Sequence, residues 1–556
     1  MKSGLEIAQE ATLLPIHEIA ARAGFVDDEI EPYGRYRAKI GLSAYDRLKD
    51  RPDGKLIITT AITPTKAGEG KTTTSVSLTQ GLGKLGKSVI LALREPSMGP
   101  VFGIKGGGTG GGYVQVVPME DINLHFNGDF HAVTEAHNML ASALDASLYF
   151  GNPLGIDPAT ITWPRTMDVD ARELRYTVIG LGGKAHGIPR ENGFVITAAS
   201  EIMAILALCE DIQDLRQRLG RVVVGSTYDG SPVTAEDLKV AGAMAVIMKD
   251  AIKPNLVQTL EGQPVMIHAG PFGNVAHANS SIIQDRIALK VADYVVTEGG
   301  FASDLGFQKF CDIVCRFGGF TPSAVVLVTS VRAMKFHGGV AFERLNEQNL
   351  DAVRLGSDNL AAHVEIVKAY GLPCVVAINR FPSDTDEEIA LVDELAAKVG
   401  AEQTVVTDGF MKGGDGAIEL AEAVVAAAEK PNTFRLLTPP GAPSREQVEA
   451  IATRVYGADG VDYLPQADKD IARMEQLGFG TYPVCMAKTH LSLTHDPLLL
   501  TRPNDWRLPV RGVVPSAGAG FVVVLCGDMQ RMPGLGRTPA FMNVDIDEQG
   551  RTVGLF

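Results

Sequence analysis

Cysteine is scarce in this chain: Cys209, Cys311, Cys315, Cys374, Cys485 and Cys526 are the only six in 556 residues. Only Cys311 and Cys315 lie close together, in FCDIVC, with no second pair nearby. That spacing argues against a thiolate zinc site or a disulfide framework and for reduced, buried thiols in a cytoplasmic protein. Long apolar runs are missing too. The best stretch, Val513 to Cys526, is interrupted by Pro515, Ser516, Gly518 and Gly520, so no membrane span is expected. The first residues carry Glu6 and Glu10 and lack a signal-peptide pattern. Basic charge is also short, with 51 Lys+Arg against 66 Asp+Glu and a net charge of −15. Such a chain is a poor general binder of nucleic-acid phosphates. Internal repeats, low-complexity linkers and long charge blocks are absent.

Glycine is what the chain has in excess: 60 residues in 556, or about 11% against an average near 7%. Seven of them fall between Gly103 and Gly112. The length sets a prior of roughly two to four domains.

The elements alternate. KLIITTAIT at 55 reads as a buried strand, KTTTSVSLTQGLGKLG at 71 as a helix and SVILAL at 88 as the next strand. Further strand candidates are RVVVG at 221, VMIHA at 265, YVVTE at 294, VVLVTS at 325, CVVAIN at 374 and QTVV at 403. Helical patterns separate many of them, at 235, 280, 386 and 417. The first 50 residues read as helical and peripheral. Short β-branched runs between helices predict α/β architecture: a P-loop NTPase-like parallel sheet flanked by helices, with additional smaller α/β domains. Pro-rich breaks at 436–444 and 502–515 are candidate domain edges.

Polar or Gly-rich motifs directly follow several of these strands: TPTKAGEGKTT, REPSMGPVFG, HAGPFGN, EGGFASDLG and NRFPSDTDEE. Ligands of open parallel sheets sit beyond the carboxyl ends of the strands, so this row reads as one active-site rim. The first motif fits the second half of the phosphate-loop pattern, with Gly70, Lys71 and Thr72 in place and Thr65 where the first glycine would stand. Thr65, Lys66, Ala67, Gly68, Glu69, Gly70, Lys71, Thr72 and Thr73 are therefore the candidate nucleotide-binding residues. Gly68 and Gly70 let backbone N–H groups turn toward an anion, and the helix beginning near Lys71 adds its partial positive charge. Lys71 would reach the β- and γ-phosphates, and Thr72 would hold Mg²⁺. Arg94 follows the second strand, where its planar fork suits a small carboxylate or phosphate. The glycine run beyond it is either a tight structural crossing or a loop that closes on ligand.

These segments, together with NLHFNGDFHAVTEAHNML, TYDGSPVTAEDLK, KDAIKPNLVQTLEG, HAGPFGNVAHANSS, VTEGGFASDLGFQKF and CMAKTHLSLT, resemble the formate–tetrahydrofolate ligase family over essentially the whole chain. The length matches the monofunctional form. The resemblance implies an ATP-dependent formylation of tetrahydrofolate at N10 through formyl phosphate, in one-carbon metabolism. It implies catalytic roles for Lys71, Arg94 and Glu95, with Ser97 as a polar neighbour; the alternative for Glu95 is an ion pair with Arg94 or another base. The pterin would stack between Phe381, beside Pro382, and Phe410, which stands where the family has Trp and lacks the indole N–H. Asp384 would bond the aminopyrimidine edge, and Phe301 would line the substrate region or pack in the core. His125, Asp129 and His131 would position substrate or accept the N10 proton. His268, His277, Lys335 and His337 are weaker candidates, each with a structural alternative. Lys66, where many relatives have Pro, would add positive charge near the phosphates, and His490 stands where they commonly have Gln.

By the same resemblance, residues 1–365 form a nucleotide- and formate-binding P-loop domain, 366–500 a folate-binding α/β domain and 501–556 a small C-terminal α/β domain. A homotetramer activated by K⁺ or NH₄⁺ is implied as well. The loop alone also admits another phosphate-loop kinase or ligase, such as a relative of dethiobiotin synthetase, or a nucleotide-driven partitioning switch. Switch proteins are usually shorter and lack NRFPSDTDEE and GFMKGGDG.

Overall fold

The segment KLIITTA at Lys55–Ala61 is buried at every residue after Lys55. A strand covered on both faces needs strand neighbours and helices on each side. The computed structural model, which describes residues 2–65, 68–103 and 107–555, supplies them in a 12-stranded sheet. In chain order its strands are β1 (Ile30–Pro32), β2 (Ala38–Ile40), β3 (Lys55–Ala61), β4 (Val89–Leu93), β5 (Gly110–Gly111), β6 (Val114–Val117), β7 (Asn255–Thr259), β8 (Pro264–Ile267), β9 (Tyr294–Glu298), β10 (Ala324–Thr329), β11 (Cys374–Asn379) and β12 (Gln403–Thr407). Their spatial order is β1-β2-β7-β8-β4-β9-β3-β10-β11-β12, with β6 hung on β7 and β5 on β6. Every pair from β8 to β12 is parallel. The pairs among β1, β2, β5, β6 and β7, and that of β7 with β8, are antiparallel.

The α/β expectation with a mostly parallel sheet therefore holds, and three local readings are corrected. The first 50 residues do carry helices, Gly4–Glu10 and Ile16–Ala23. They also supply β1 and β2, and Ala38, Lys39 and Ile40 are fully buried. Periodicity missed this because a three-residue strand is too short to show alternation. RVVVG does not join the large sheet. Val223–Ser226 pairs instead with Pro232–Thr234 in a two-stranded ribbon. Conversely β7, inside KPNLVQT, was not anticipated, since Asn255, Gln258 and Thr259 break its apolar run.

Two of the smaller sheets lie between residues 461 and 525. Val461–Tyr463 pairs with Leu508–Val510, and Val484–Ala487 pairs with Phe521–Leu525. Both pairings cross residue 501. Similarly, β11 and β12 lie beyond residue 366 yet extend the same sheet as β3. Among the described residues, no helix is long and apolar enough to cross a membrane.

Buried ion pairs tie distant segments together. Lys335 Nζ lies 3.0 Å from Glu388 Oε1, and both side chains are fully buried. Glu388 also closes the capping box with Thr385 at the start of helix Asp386–Lys398. Removing one charge strands the other in low dielectric, so Lys335→Met should cost about 3–5 kcal/mol of stability. Urea unfolding checks this. The double variant Lys335→Met, Glu388→Leu should regain most of the loss, because no lone charge remains.

Candidate active site

The phosphate-loop segment joins β3 to helix Lys71–Lys84. It is held from below by two histidines, His337, a candidate from the sequence, and His363, which the sequence did not single out. Thr63 N–H donates to His363 Nε2 at 2.9 Å, and the Thr63 carbonyl accepts from His337 Nε2 at 2.9 Å. His363 Nδ1 in turn meets Ser303 Oγ at 2.7 Å. His337 is thus a satisfied structural histidine. Burial pushes the imidazoles of His337 and His363 down to about 4, which keeps both neutral and able to accept and donate at once.

Glu69 turns inward. Its carboxylate accepts from Thr65 N–H at 2.9 Å and Ser330 Oγ–H at 2.6 Å, so it shapes the loop. Gly70 has φ +75°, and a β-carbon there would run into Asn379 Nδ2. Glycine is required by both conformation and space. Gly68 is exposed with φ +75°. Lys66 and Ala67 lie outside the described residues. Beyond the turn, Thr72 Oγ1 donates to Glu298 Oε2 at 3.2 Å, and Lys71 Nζ donates to the Phe301 carbonyl at 3.3 Å. Thr73 is half-buried on the same first turn.

Glu298 is the main residue that sequence reasoning passed over. It ends β9, and its Oε1 is buried with no hydrogen-bond partner among the described residues. The available signal was an acid closing an otherwise apolar strand, YVVTE, at the sheet edge where ligands bind. Since β9 lies between β4 and β3, the segment 298–301 separates the phosphate loop from the loop after β4.

Arg94 sits on the other side of that segment. Its Nη1 donates to the Pro271 carbonyl at 3.2 Å, and its Nη2 would lie 3.1 Å from a β-carbon on Gly300. Burial disfavours the charged guanidinium, and Glu298 counters that effect. Ala269, Ala278 and Phe301, which surround this region, all hold positive φ (53°, 59° and 60°). Strained backbone of this kind concentrates where a site must be preorganised. The Phe301 ring stacks on His490 with centroids 4.5 Å apart.

Glu95 belongs to a different cluster. Its N–H donates to the Ala269 carbonyl at 2.7 Å, and its carboxyl is buried beside Asp129. Asp129 spends one oxygen on Lys39 Nζ at 2.6 Å and the other on Asn255 Nδ2 at 2.7 Å. Burial first, then the Asp129 charge, holds the Glu95 carboxyl well above the usual carboxylate range. Ser97 donates to Asp168 Oδ1, whose second oxygen accepts Met98 N–H at 2.8 Å. Burial raises Asp168 to about 6. His125 and His131 are exposed. His268 is saturated by Ser281 Oγ at 2.6 Å and the Ala251 carbonyl at 2.7 Å.

The aromatic candidates follow adjacent strands. Phe381 comes after β11, and Phe410 comes after β12. The Phe381 N–H donates to Asp384 Oδ2 at 2.8 Å, and its ring lies 4.9 Å from the Arg332 guanidinium carbon. Pro382 is exposed. Asp384 is buried with Oδ1 unpartnered among the described residues, and burial raises its pKa. Phe410 is exposed and covers the glycine run. Its carbonyl accepts Tyr113 N–H at 3.0 Å, and a β-carbon on Gly112 would clash with its ring. The described part of the run is thus a tight crossing, β5 turning back on β6, that lets an aromatic ring lie close to backbone.

Fold and site together define an α/β protein with polar and glycine-rich loops at the carboxyl ends of a parallel sheet, where a helix N-terminus and the half-buried Arg94 lie. Known proteins narrow the class. The family model described as formate–tetrahydrofolate ligase matches residues 2–556. Relatives of that name include one from Desulforamulus reducens, 56% identical over 100% of this chain and 99% of its own length. Others are from Saccharopolyspora erythraea, 54% identical over 100% and 99%, and Roseiflexus sp. strain RS-1, 54% identical over 100% and 100%. The chain belongs to the formate–tetrahydrofolate ligase family.

Proposed function

We propose that this protein ligates formate to tetrahydrofolate at the expense of ATP, giving 10-formyltetrahydrofolate, ADP and phosphate. The observation that carries the reading is the segment 298–301, which touches Thr72 and Lys71 on one side and Arg94 on the other. A phosphate bound at the helix N-terminus and a carboxylate on Arg94 would therefore both lie along this one segment. This is the P-loop NTPase-like feature of the fold.

Formate alone is a poor acyl donor, because its carboxylate would have to expel oxide. A formate oxygen attacks the γ-phosphorus, ADP leaves, and formyl phosphate forms. The N10 lone pair then attacks the formyl carbon, the C–O bond to phosphate breaks, and phosphate departs with the N10 proton. Lys71 offsets charge on the transferred phosphoryl group. Arg94 holds formate and then the intermediate through its fork. Glu298 and Thr72 suit Mg²⁺, given that Glu298 Oε1 is buried with no hydrogen-bond partner among the described residues. Held there, Mg²⁺ would supply positive charge that offsets that of the phosphates.

Folate is proposed to lie between Phe381–Pro382 and Phe410, with Asp384 on the aminopyrimidine. Phe410→Ala should raise the KM for tetrahydrofolate by about 10-fold, the equivalent of about 1.4 kcal/mol, and leave the KM for ATP unchanged. Steady-state kinetics in each substrate decide this, and a parallel rise in both constants removes the stacking assignment. Phe301 walls the reaction site, Ser97 and His125 border it through Asp168, and Glu95 with Asp129 supports it from behind. The division of labour proposed is nucleotide and formate on 1–365, folate on 366–500 and a supporting role for 501–556. A cytoplasmic homotetramer activated by K⁺ or NH₄⁺ is proposed from the family resemblance. Exposed apolar side chains at Tyr176, Val178, Leu181 and Ile188, on and beside the hairpin Thr177–Ile179/Arg190–Asn192, offer surface for self-association.

The test of the activity is ADP release that requires both formate and tetrahydrofolate, with 10-formyl product appearing. Formate-independent turnover stimulated by a partner protein would favour a nucleotide switch instead.

A further inference from the structure

His277 is fully buried, and neither of its ring nitrogens has a hydrogen-bond partner among the described residues. Such a group is costly unless a ligand completes it, because each buried nitrogen has given up water. The other buried histidines, His137, His268, His337 and His363, are satisfied through both nitrogens, so His277 is the exception.

Its surroundings point to the missing partner. The loop that carries it gives the Pro271 carbonyl to Arg94 and the Gly273 and Ala276 carbonyls to the buried Lys309 Nζ, at 2.7 and 3.2 Å. The next residue, Ala278, accepts Gly300 N–H at 2.9 Å and has positive φ, which locks the loop against the segment that borders Arg94. The Phe521 ring packs against the His277 ring in a T-shaped arrangement, with centroids 6.4 Å apart. Burial, then Lys309 and Arg94, push the imidazole down to about 3, so it is neutral and carries one N–H. A neutral imidazole is a hydrogen-bond donor that brings no charge of its own, the form that polarises a carbonyl without protonating it.

We propose that His277 donates this N–H to the formyl oxygen, first of bound formate and then of formyl phosphate, and steadies the negative charge that develops there. The inference rests on the ligase reading. As N10 forms its bond to carbon, the carbonyl electron pair moves onto that oxygen; its return expels phosphate, which takes the N10 proton. A donor placed where charge appears lowers the barrier to its formation.

The test compares His277→Ala with His277→Asn, whose amide N–H replaces the donor. His277→Ala should lower kcat about 10²-fold with ATP affinity by calorimetry unchanged. His277→Asn should recover at least about 10-fold of that loss. The second measurement uses wild-type protein labelled with ¹⁵N-histidine, in which the resonance missing from His277→Asn should shift when formate is added with a non-hydrolysable ATP analogue. An unchanged kcat in His277→Ala, or a resonance that ignores formate, overturns the proposal even if a variant folds poorly. Wild-type protein without formate-dependent ADP release sinks the ligase reading itself, a separate outcome.

Discussion

Arg94→Ala should abolish formyl transfer, lowering kcat by about 10³-fold or more, while ATP still binds with nearly its original affinity. The expectation follows from where the residue stands. Arg94 follows β4, and β9 lies between β4 and β3. The 298–301 segment thus separates its guanidinium from the phosphate loop. One nitrogen is fixed by the Pro271 carbonyl, which orients the fork toward a single bound carboxylate. Arg94→Lys should rescue little, because an ammonium cannot replace a planar, two-point contact. Single-turnover ADP formation and a separate ATP titration measure the two halves. A matching loss of ATP affinity would move Arg94 into the nucleotide site.

Lys71→Ala should have the opposite signature. Its amine extends from the first turn of the helix that follows β3, where phosphate oxygens would meet backbone N–H groups. Loss of this charge should reduce kcat/KM for ATP by about 10²–10³-fold. The fold should persist, since the side chain is only half-buried and the loop is pinned independently through Thr63, Glu69 and Asn379. Thermal unfolding and ATP-dependence curves check both statements. A large fall in melting temperature would mean that Lys71 holds the loop as well as the phosphates.

Much of this was legible in the chain. β3, β4, β9, β10 and β11 are buried on both faces, so each reads as a short apolar run whatever its neighbours are. GEGKTT declares its turn, because Gly70 must take positive φ beside Asn379. What was not legible depends on tertiary approach. Lys39 and Asp129 are 90 residues apart and meet only because β2 lies along β7. Without that partner Asp129 reads as a substrate group. His363 and Asn359 are ordinary polar residues in a helix until Thr63 arrives beneath them. Phe410 was legible as an aromatic, whereas its resting place on the glycine run was not, because that contact joins segments some 300 residues apart.

The central claim is that formate is activated by accepting a phosphoryl group before it meets folate. Formate labelled with ¹⁸O at both oxygens tests it most directly. Attack on the γ-phosphorus puts one labelled oxygen in the new P–O bond, and cleavage at carbon leaves it there. The phosphate released with 10-formyltetrahydrofolate should therefore carry one ¹⁸O per turnover, and the formyl group the other. Phosphate that emerges without label, its added oxygen drawn from water, would contradict the account.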